Sequence, residues 1–249
     1  TTGITDALFV AFLLVRSTIC AFAKIAGASV DAIDVGIGRP TGDIRYEAAM
    51  DAERFDDVVE TAFAAVDRLD CDLLVLGEIG IGNTTPSAAI AAALAGGETA
   101  AWVGRGTGVD DEGLARKRSA VQESVRRIAG ITDPLEILRE VGGAELVAIA
   151  AATVAARRRS IPVVLDGYVV TSAVLALAMM NSAALDHCTV GHCSTEPGHR
   201  KLLERLDKRP LLDLDMRLGE GSGAMAAVPL IAMACAGVTK VPTYDEWFD

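Results

Sequence analysis

Apolar positions recur along the chain in two alternating patterns. A spacing of three to four residues predicts helices over the stretches of about Thr5–Ala26, Asp51–Leu69, Pro86–Ala95, Glu112–Ile128 and Pro134–Arg158. Short apolar runs predict strands at Ala32–Ile37, Leu73–Leu76, Ala100–Val103 and Ile161–Leu165. Alternation of helix and strand is typical of a parallel sheet with helices on both faces, so we predict an α/β fold.

Two later segments, Gly167–Leu185 and Gly221–Val238, are apolar and carry no charge. Both consist largely of Ala, Gly, Ser and Thr, whereas a membrane span of about 20 residues normally carries more Leu, Ile and Phe. We predict that both segments are buried helices. The sequence shows no fixed-period repeat, low-complexity linker or charge block that would mark a second autonomous domain.

The amino-acid composition and net charge argue against some classes of binding partner. The 249 residues include 34 acidic and 23 basic side chains, a formal charge of −11, which disfavours nucleic acid and anionic membranes because both select basic faces. Five cysteines at irregular spacing indicate reduced thiols in a cytoplasmic protein.

The N-terminus shows no signal-peptide pattern. It opens without methionine and runs at once into an apolar helical pattern, so we expect an N-terminal segment to be missing.

Polar turns follow two of the predicted strands. Leu76 leads into Gly77 and Glu78, and Leu165 leads into Asp166 and Gly167. In open parallel sheets, ligands bind in the crevice at the carboxyl ends of the strands. The sequence therefore places its polar residues where such a fold places its site.

The first of these turns continues as a glycine-rich loop, Gly77–Pro86. Gly80 and Gly82 allow a ligand to approach the backbone, while Asn83 and Thr84 can cap the helix that Pro86 helps to start. Unpaired N–H groups at that helix start suit phosphate. The alternative is a tight strand–helix turn with ordinary caps.

A second glycine-rich loop spans Gly104–Gly108. Arg105 and Thr107 alternate with its glycines, and Lys117 follows within the next predicted helix, from where it can point back to the loop. Lysine and arginine both bind phosphate, the former as a point charge and the latter as a fork. A flexible surface loop is the alternative interpretation.

A third motif, Arg217–Ala224, places Glu220 between Gly219 and Gly221, just before an apolar helical run. A carboxylate held in a tight glycine turn beside apolar residues is typical of a general base. The alternative is a glycine-rich helix cap with an exposed glutamate.

The segment Asp186–His199 contains all three histidines and two of the cysteines. Its spacing matches no common structural zinc pattern. As a strand, Thr189–Cys193 would direct His192 and Cys193 to opposite faces. We predict no metal there, but a strand end with a polar turn that offers Ser194 and Glu196.

Taken in order, these motifs resemble the nicotinate-nucleotide–dimethylbenzimidazole phosphoribosyltransferases of the cobalamin lower-ligand pathway. The segments that carry the resemblance are Gly77–Thr85, Gly104–Gly108 with Lys117, Val163–Tyr168, His192–His199 and Arg217–Gly223. The match runs from about Ile4 to Thr243–Glu246.

The resemblance implies transfer of phosphoribose from nicotinate mononucleotide to 5,6-dimethylbenzimidazole. Nicotinate leaves, and inversion at the anomeric carbon gives α-ribazole 5′-phosphate. Members of the family are homodimers with a Rossmann-like large domain and a small helical domain. By this resemblance, residues 1–28 belong to the small domain and residues 29–249 to the α/β domain.

The resemblance also assigns roles. Glu220 is expected to accept the proton that the acceptor base loses, and backbone amides near Gly80 and Gly106, with Lys117, to hold the 5′-phosphate. The expected substrate-binding residues are Glu78, Gly80, Gly82, Asn83, Thr84, Arg105, Gly106, Thr107, Lys117, Asp166, Ser194, Gly219 and Gly221. No pyrophosphate leaves in this reaction, so we expect no metal or other cofactor, and activity should survive a chelator.

Other functions stay open from the sequence. A dinucleotide-dependent oxidoreductase needs G-x-G-x-x-G after the first strand and an acidic residue after the second, and neither spacing is met. A non-catalytic homologue would keep the phosphate loops without the acceptor pocket, and an enzyme could use a purine or phenol instead. The family's acceptor-binding segment, expected around Thr1–Thr5, is absent or disrupted, and Gly36–Ile44 is shorter than in the family.

Overall fold

A computed structural model describes residues 7, 9, 10, 12, 14, 16–106 and 108–248. Its sheet has the order β1–β2–β3–β4, and each neighbouring pair of strands is parallel. The strands are β1 (Leu74–Leu76), β2 (Val163–Leu165), β3 (Cys188–His192) and β4 (Pro210–Leu212). Leu76 pairs with Leu165, and Leu165 pairs with Val190. The predicted parallel sheet is confirmed.

Helices connect and cover the strands. In chain order they are α1 (Thr18–Ala26), α2 (Ala52–Asp67), α3 (Thr84–Ala95), α4 (Asp111–Arg127), α5 (Pro134–Val141), α6 (Ala144–Arg158), α7 (Tyr168–Met180), α8 (Pro197–Arg205), α9 (Ser222–Thr239) and α10 (Tyr244–Phe248). Val163, Val164 and Leu165 are all buried. Because successive strand residues point to opposite faces, β2 is covered on both faces.

The core has two parts. The larger cluster joins α2–α7 to the sheet, and α7 lies at its centre with ten buried residues. A smaller cluster of Ile19, Cys20, Ala23 and Met225 packs α1 against α9. The predicted division of the chain at residue 28 stays a prediction.

Two predicted strands are wrong. At Ala32–Ile37 the Asp34 carboxylate accepts the N–H groups of Gly36 (2.8 Å) and Ile37 (2.7 Å), which folds the chain into a turn in place of a strand. At Ala100–Val103 the chain forms a 3₁₀ turn over Thr99–Trp102, with the Trp102 indole donating to the Gly96 carbonyl.

Two predicted helices have different limits. The continuous helix Pro134–Arg158 is broken at Gly142 and Gly143, both in extended conformations. A Cβ atom at Gly142 would lie 2.4 Å from the Leu138 carbonyl oxygen, so only glycine fits this break. In the helix predicted over Thr5–Ala26, the described residues at positions 7, 9, 10 and 12 are helical, the chain leaves the helix at positions 14, 16 and 17, and α1 begins at Thr18. The other residues before position 16 lie outside the described part of the chain.

The two apolar segments differ in burial. The first forms α7, which is buried as predicted. The second forms α9, whose start is buried at Ser222–Met225 but whose later turns expose Leu230, Met233 and Val238. The prediction of burial therefore holds only for its beginning. Among the described helices, α9 is long and apolar enough to cross a membrane by length and composition alone.

Candidate active site

The carboxyl ends of β1, β2 and β3 bring three polar turns to one edge of the sheet. They begin at Gly77, Asp166 and Cys193. A fourth turn, Gly219–Gly221, lies directly against the first. Glu220 N donates to the Glu78 carbonyl oxygen at 2.9 Å, and a Cβ atom at Gly77 would lie 2.3 Å from Gly221 N. These backbones touch because both positions are glycine.

Glu220 has an unusual backbone conformation. Gly219, Glu220 and Gly221 have φ angles of 84°, 62° and 78°, a left-handed conformation that costs a residue with a side chain about 1 kcal/mol or more. The carboxylate is half-buried, and its Oε2 atom accepts the Ile19 N–H at 3.2 Å. A left-handed backbone is uncommon at a residue other than glycine, and here it falls at the residue that the sequence motif singled out.

Glu78 lies beside the turn that carries Glu220, with its Oε1 atom 3.1 Å from where a Cβ atom at Gly219 would lie. Its Oε2 atom accepts the Gly80 N–H at 2.9 Å and a hydrogen bond from the Asn83 amide. Desolvation raises the pKa of Glu78 to about 8, with repulsion from Glu145 as the next cause, while the Asn83 hydrogen bond opposes the shift. Asn83 therefore orients Glu78, and its side chain makes no capping bond to α3.

Glu145 is a site residue that the sequence interpretation missed. It lies in the first turn of α6, where a Cβ atom at Gly80 would be 2.3 Å from its Oε1 atom. Burial raises the pKa of Glu145. The available signal was the pair Gly142–Gly143 followed by a glutamate, which marks a new helix start with an acid in its first turn.

A large cavity of about 1000 Å³ adjoins these carboxylates. Glu78, Glu145 and Glu220 lie together in its lining, and apolar side chains from α1, β1, α2, α6, α9 and the loops 27–37 and 69–73 line much of the rest. Such a cavity suits a largely apolar molecule with a polar group directed to the carboxylates. Gly82 lines a second cavity of about 370 Å³, next to Gly80 and Asn83.

Lys117 joins the two glycine-rich loops. Its Nζ atom donates to Thr84 Oγ1 at 2.7 Å and to the Gly104 carbonyl oxygen at 2.8 Å. A Cβ atom at Gly106 would lie 3.7 Å from the same Nζ atom. Burial lowers the pKa of Lys117, and the negative charge of Glu196 opposes that shift. Lys117 thus points back to its loop as the sequence indicated.

Arg105 is not brought into this group. Arg105 is exposed, pairs with Asp111 at 2.5 Å and donates to the Val109 carbonyl oxygen at 3.0 Å. Thr107 lies outside the described residues.

Asp166 and His192 support the turn that carries Glu220. Asp166 Oδ1 accepts the Ala224 N–H at 2.8 Å and lies 3.3 Å from His192 Nε2. A Cβ atom at Gly223 would lie 2.1 Å from the His192 ring. The start of α9 therefore packs directly against the buried side chains of Asp166 and His192.

The turn after β3 is polar and buried. Ser194 N donates to His199 Nδ1 at 2.8 Å, and burial lowers the pKa of His199 to about 3, so the ring is neutral. Among the described residues, the buried atoms without a hydrogen-bond partner are His192 Nδ1, Ser194 Oγ, Glu196 Oε2 and His199 Nε2.

His192 and Cys193 are both buried because both faces of the sheet are covered. The described residues contain no group of three or more His, Cys, Asp or Glu side chains that could hold a metal ion.

Glycine-rich loops, a half-buried lysine and a helix start at the carboxyl ends of a parallel sheet are features of α/β proteins that bind phosphate groups. A family model described as "Phosphoribosyltransferase" matches residues 1–247. Two curated relatives carry the name nicotinate-nucleotide–dimethylbenzimidazole phosphoribosyltransferase. The one from Mesorhizobium japonicum is 48% identical over 90% of this chain and 67% of its own length, and the one from Methylocella silvestris is 49% identical over 88% and 64%.

A comparison with a solved structure agrees with these sequence comparisons. The crystal structure of CobT from Thermus thermophilus superposes with a TM-score of 0.93 at 39% identity, covering 99% of this chain and 79% of that one. The chain belongs to the nicotinate-nucleotide–dimethylbenzimidazole phosphoribosyltransferase family. It spans about two thirds of the length of the curated relatives it matches.

Proposed function

We propose that this chain transfers phosphoribose from nicotinate mononucleotide to 5,6-dimethylbenzimidazole, giving nicotinate and α-ribazole 5′-phosphate. The relatives' names supply the substrates. The observation that carries the proposal is the strained Gly219–Gly221 turn, which presents the Glu220 carboxylate at the wall of a large apolar cavity.

The proposed step uses Glu220 as general base. One ring nitrogen of the acceptor attacks C1′ of the ribose, and the C1′–N bond to the pyridinium breaks. The bonding electron pair returns to the nicotinate nitrogen, while the proton on the other acceptor nitrogen passes to the Glu220 carboxylate. Base assistance of this kind is worth about 10²–10⁴-fold in rate. The leaving pyridinium already carries positive charge, so its departure needs little acid assistance.

The phosphate end of the nucleotide is proposed to lie where the two glycine-rich loops meet. Lys117, Thr84 and Gly106 lie close together there, and a half-buried ammonium group attracts phosphate more strongly than an exposed one because water screens it less. Glu78, Ser194 and the other predicted substrate-binding residues, except Arg105, keep their roles as part of the proposal.

Two broader properties belong to the same proposal. The five cysteines are all free, which fits the reducing cytoplasm. A homodimer fits the exposed apolar side chains on α9, including Met233 and Val238.

The test is incubation with nicotinate mononucleotide and dimethylbenzimidazole, with both products followed by chromatography and mass detection. We expect nicotinate and α-ribazole 5′-phosphate to appear together. Glu220→Gln should lower turnover by about 10²–10⁴-fold and still bind the nucleotide, whereas Glu60→Gln, on an exposed part of α2, should behave as the parent.

Three outcomes would change the proposal. Full turnover in Glu220→Gln would remove the base assignment. Product with a purine or phenol but not with the benzimidazole would change the acceptor. Nucleotide binding without any product would leave a non-catalytic nucleotide-binding homologue.

A further inference from the structure

Helix α1 begins without a cap of its own. Ser17 occupies the N-cap position with extended backbone angles, yet its side chain makes no capping hydrogen bond. Its hydroxyl group instead donates to Cys20 Sγ at 3.1 Å. The first turn of α1 also lacks an acidic residue. The free N–H groups of a helix start favour an anion, so this end of α1 is incomplete in its own sequence.

Glu220 supplies the missing acceptor from 201 positions away. Its Oε2 atom accepts the Ile19 N–H at 3.2 Å, and Ile19 is the second residue of α1, a usual donor to a cap. The two elements are fixed relative to each other, because Ile19 and Cys20 pack against Met225 in the first turns of α9. Glu220 lies just before that helix, so the contact is part of a packed interface.

We infer that the N-terminus of α1 is a positioning element for Glu220, which holds one carboxylate oxygen by the Ile19 N–H. The other oxygen is then left for the acceptor base. This inference rests on the proposed role of Glu220. It adds that α1, far away in sequence, sets the geometry of the base.

The consequence for turnover is that one carboxylate oxygen stays fixed at the helix start while the other faces the acceptor, as a positioned base requires. Other acidic and basic side chains line the same cavity, so variants must be compared with one another. These side chains are Asp31, Asp70, Asp72, Glu78, Glu145 and Lys240.

The first experiment gives α1 its own cap. Ser17→Asn places an acceptor at the N-cap, where it competes for the Ile19 N–H, while Ser17→Ala removes the hydroxyl group without adding a competitor. We expect Ser17→Asn to lower kcat about threefold with little change in the KM for the acceptor, because a carboxylate that is held less firmly is in position less often. Ser17→Ala should keep the parent kcat and KM.

The second experiment needs no activity. Glu220→Ala removes the distant cap, and we expect it to lower the melting temperature by about 1–3 °C in the parent chain. In the Ser17→Asn background the same substitution should lower the melting temperature by less than half as much, because α1 already has a cap. The backbone strain at position 220 is shared by both backgrounds and cancels in the comparison.

The outcomes separate this inference from the proposed function. If Glu220→Ala lowers the melting temperature equally in both backgrounds, and Ser17→Asn keeps the parent kcat, the positioning role is wrong while Glu220 can still be the base. If Glu220→Gln retains full turnover, the base assignment fails, and the melting experiment alone decides whether α1 is capped by Glu220.

Discussion

At the scale of single residues, Glu78 is the side chain whose ionisation most clearly destabilises the folded state. Desolvation and the neighbouring Glu145 raise its pKa to about 8, well above the value of 4.5 for a free side chain. The folded protein therefore binds this proton more tightly than the unfolded chain does. The resulting stability is fully present below about pH 4.5 and is lost as the pH rises through about 8.

The direction of this pH dependence leads to a prediction for Glu78→Gln, whose side chain can still accept the Asn83 hydrogen bond. At pH 9 we expect Glu78→Gln to be more stable than the parent by about 1–2 kcal/mol, after a discount for the half-buried carboxyl group. At pH 4 the two should be equal. Chemical denaturation at both pH values measures the difference, with Glu60→Gln as the exposed control. Parallel stability curves from pH 4 to pH 9 would contradict the pKa shift.

Lys117 supports a second prediction at this scale. Its ammonium group is held by Thr84 and by the Gly104 carbonyl group. Lys117→Met keeps the length of the side chain and removes the charge, so we expect nicotinate mononucleotide to bind about 10–100-fold more weakly. Lys201→Met, on an exposed position of α8, is the control. Titration calorimetry would refute the phosphate assignment if both variants bound as tightly as the parent.

At the scale of elements, the contact between the β1 turn and the Glu220 turn depends on Gly77. A Cβ atom there would lie 2.3 Å from Gly221 N and 2.5 Å from Gly221 Cα, so the backbone of one turn would have to move. We expect Gly77→Ala to lower stability by about 1–3 kcal/mol and to lower turnover, because Glu220 would be displaced.

Gly130→Ala is the matched control, since its Cβ atom would meet no other atom within 4 Å. It should change stability by less than about 0.5 kcal/mol. Thermal unfolding and the product assay measure both variants. Equal effects of the two substitutions would show that the close approach at Gly77 is unimportant.

Elements with a strong pattern were predictable from the sequence, and the exceptions have local causes. The runs Leu73–Leu76 and Ile161–Leu165 are apolar on both faces and contain the strands β1 and β2. Ala32–Ile37 was also largely apolar, but Asp34 bonds two following N–H groups and turns the chain. The break at Gly142–Gly143 was hidden because apolar spacing continues on both sides of it.

The site was predictable where motifs followed a strand and unpredictable where tertiary contacts decide. Glu78, Lys117 and Glu220 lie at the expected edge of the sheet. Glu145 joins them only through the packing of α6, and Arg105 turns away to Asp111 because that carboxylate lies within reach. Spacing along the chain does not encode such choices, since several partners are equally close in sequence.

At the scale of the whole molecule, α9 leaves the core after its first turns. Val228, Ile231 and Cys235 line the cavity. Leu230, Met233 and Val238 lie outside the cavity lining and are exposed, with exposed fractions of 45%, 61% and 84%. An apolar surface of this kind is unfavourable in water and is typical of a contact with another protein surface.

We expect the second copy in the proposed homodimer to cover this face. Substitution of both Met233 and Val238 by Glu places two like charges in the contact, so the variant should sediment as a monomer at concentrations where the parent is a dimer. Leu211→Glu with Leu214→Glu changes two exposed apolar residues elsewhere and should stay dimeric. A dimer in both double variants would move the interface away from α9, and a monomeric parent would remove the homodimer from the proposal. Since α9 begins next to Glu220, loss of the dimer should also lower turnover if the contact steadies the start of the helix.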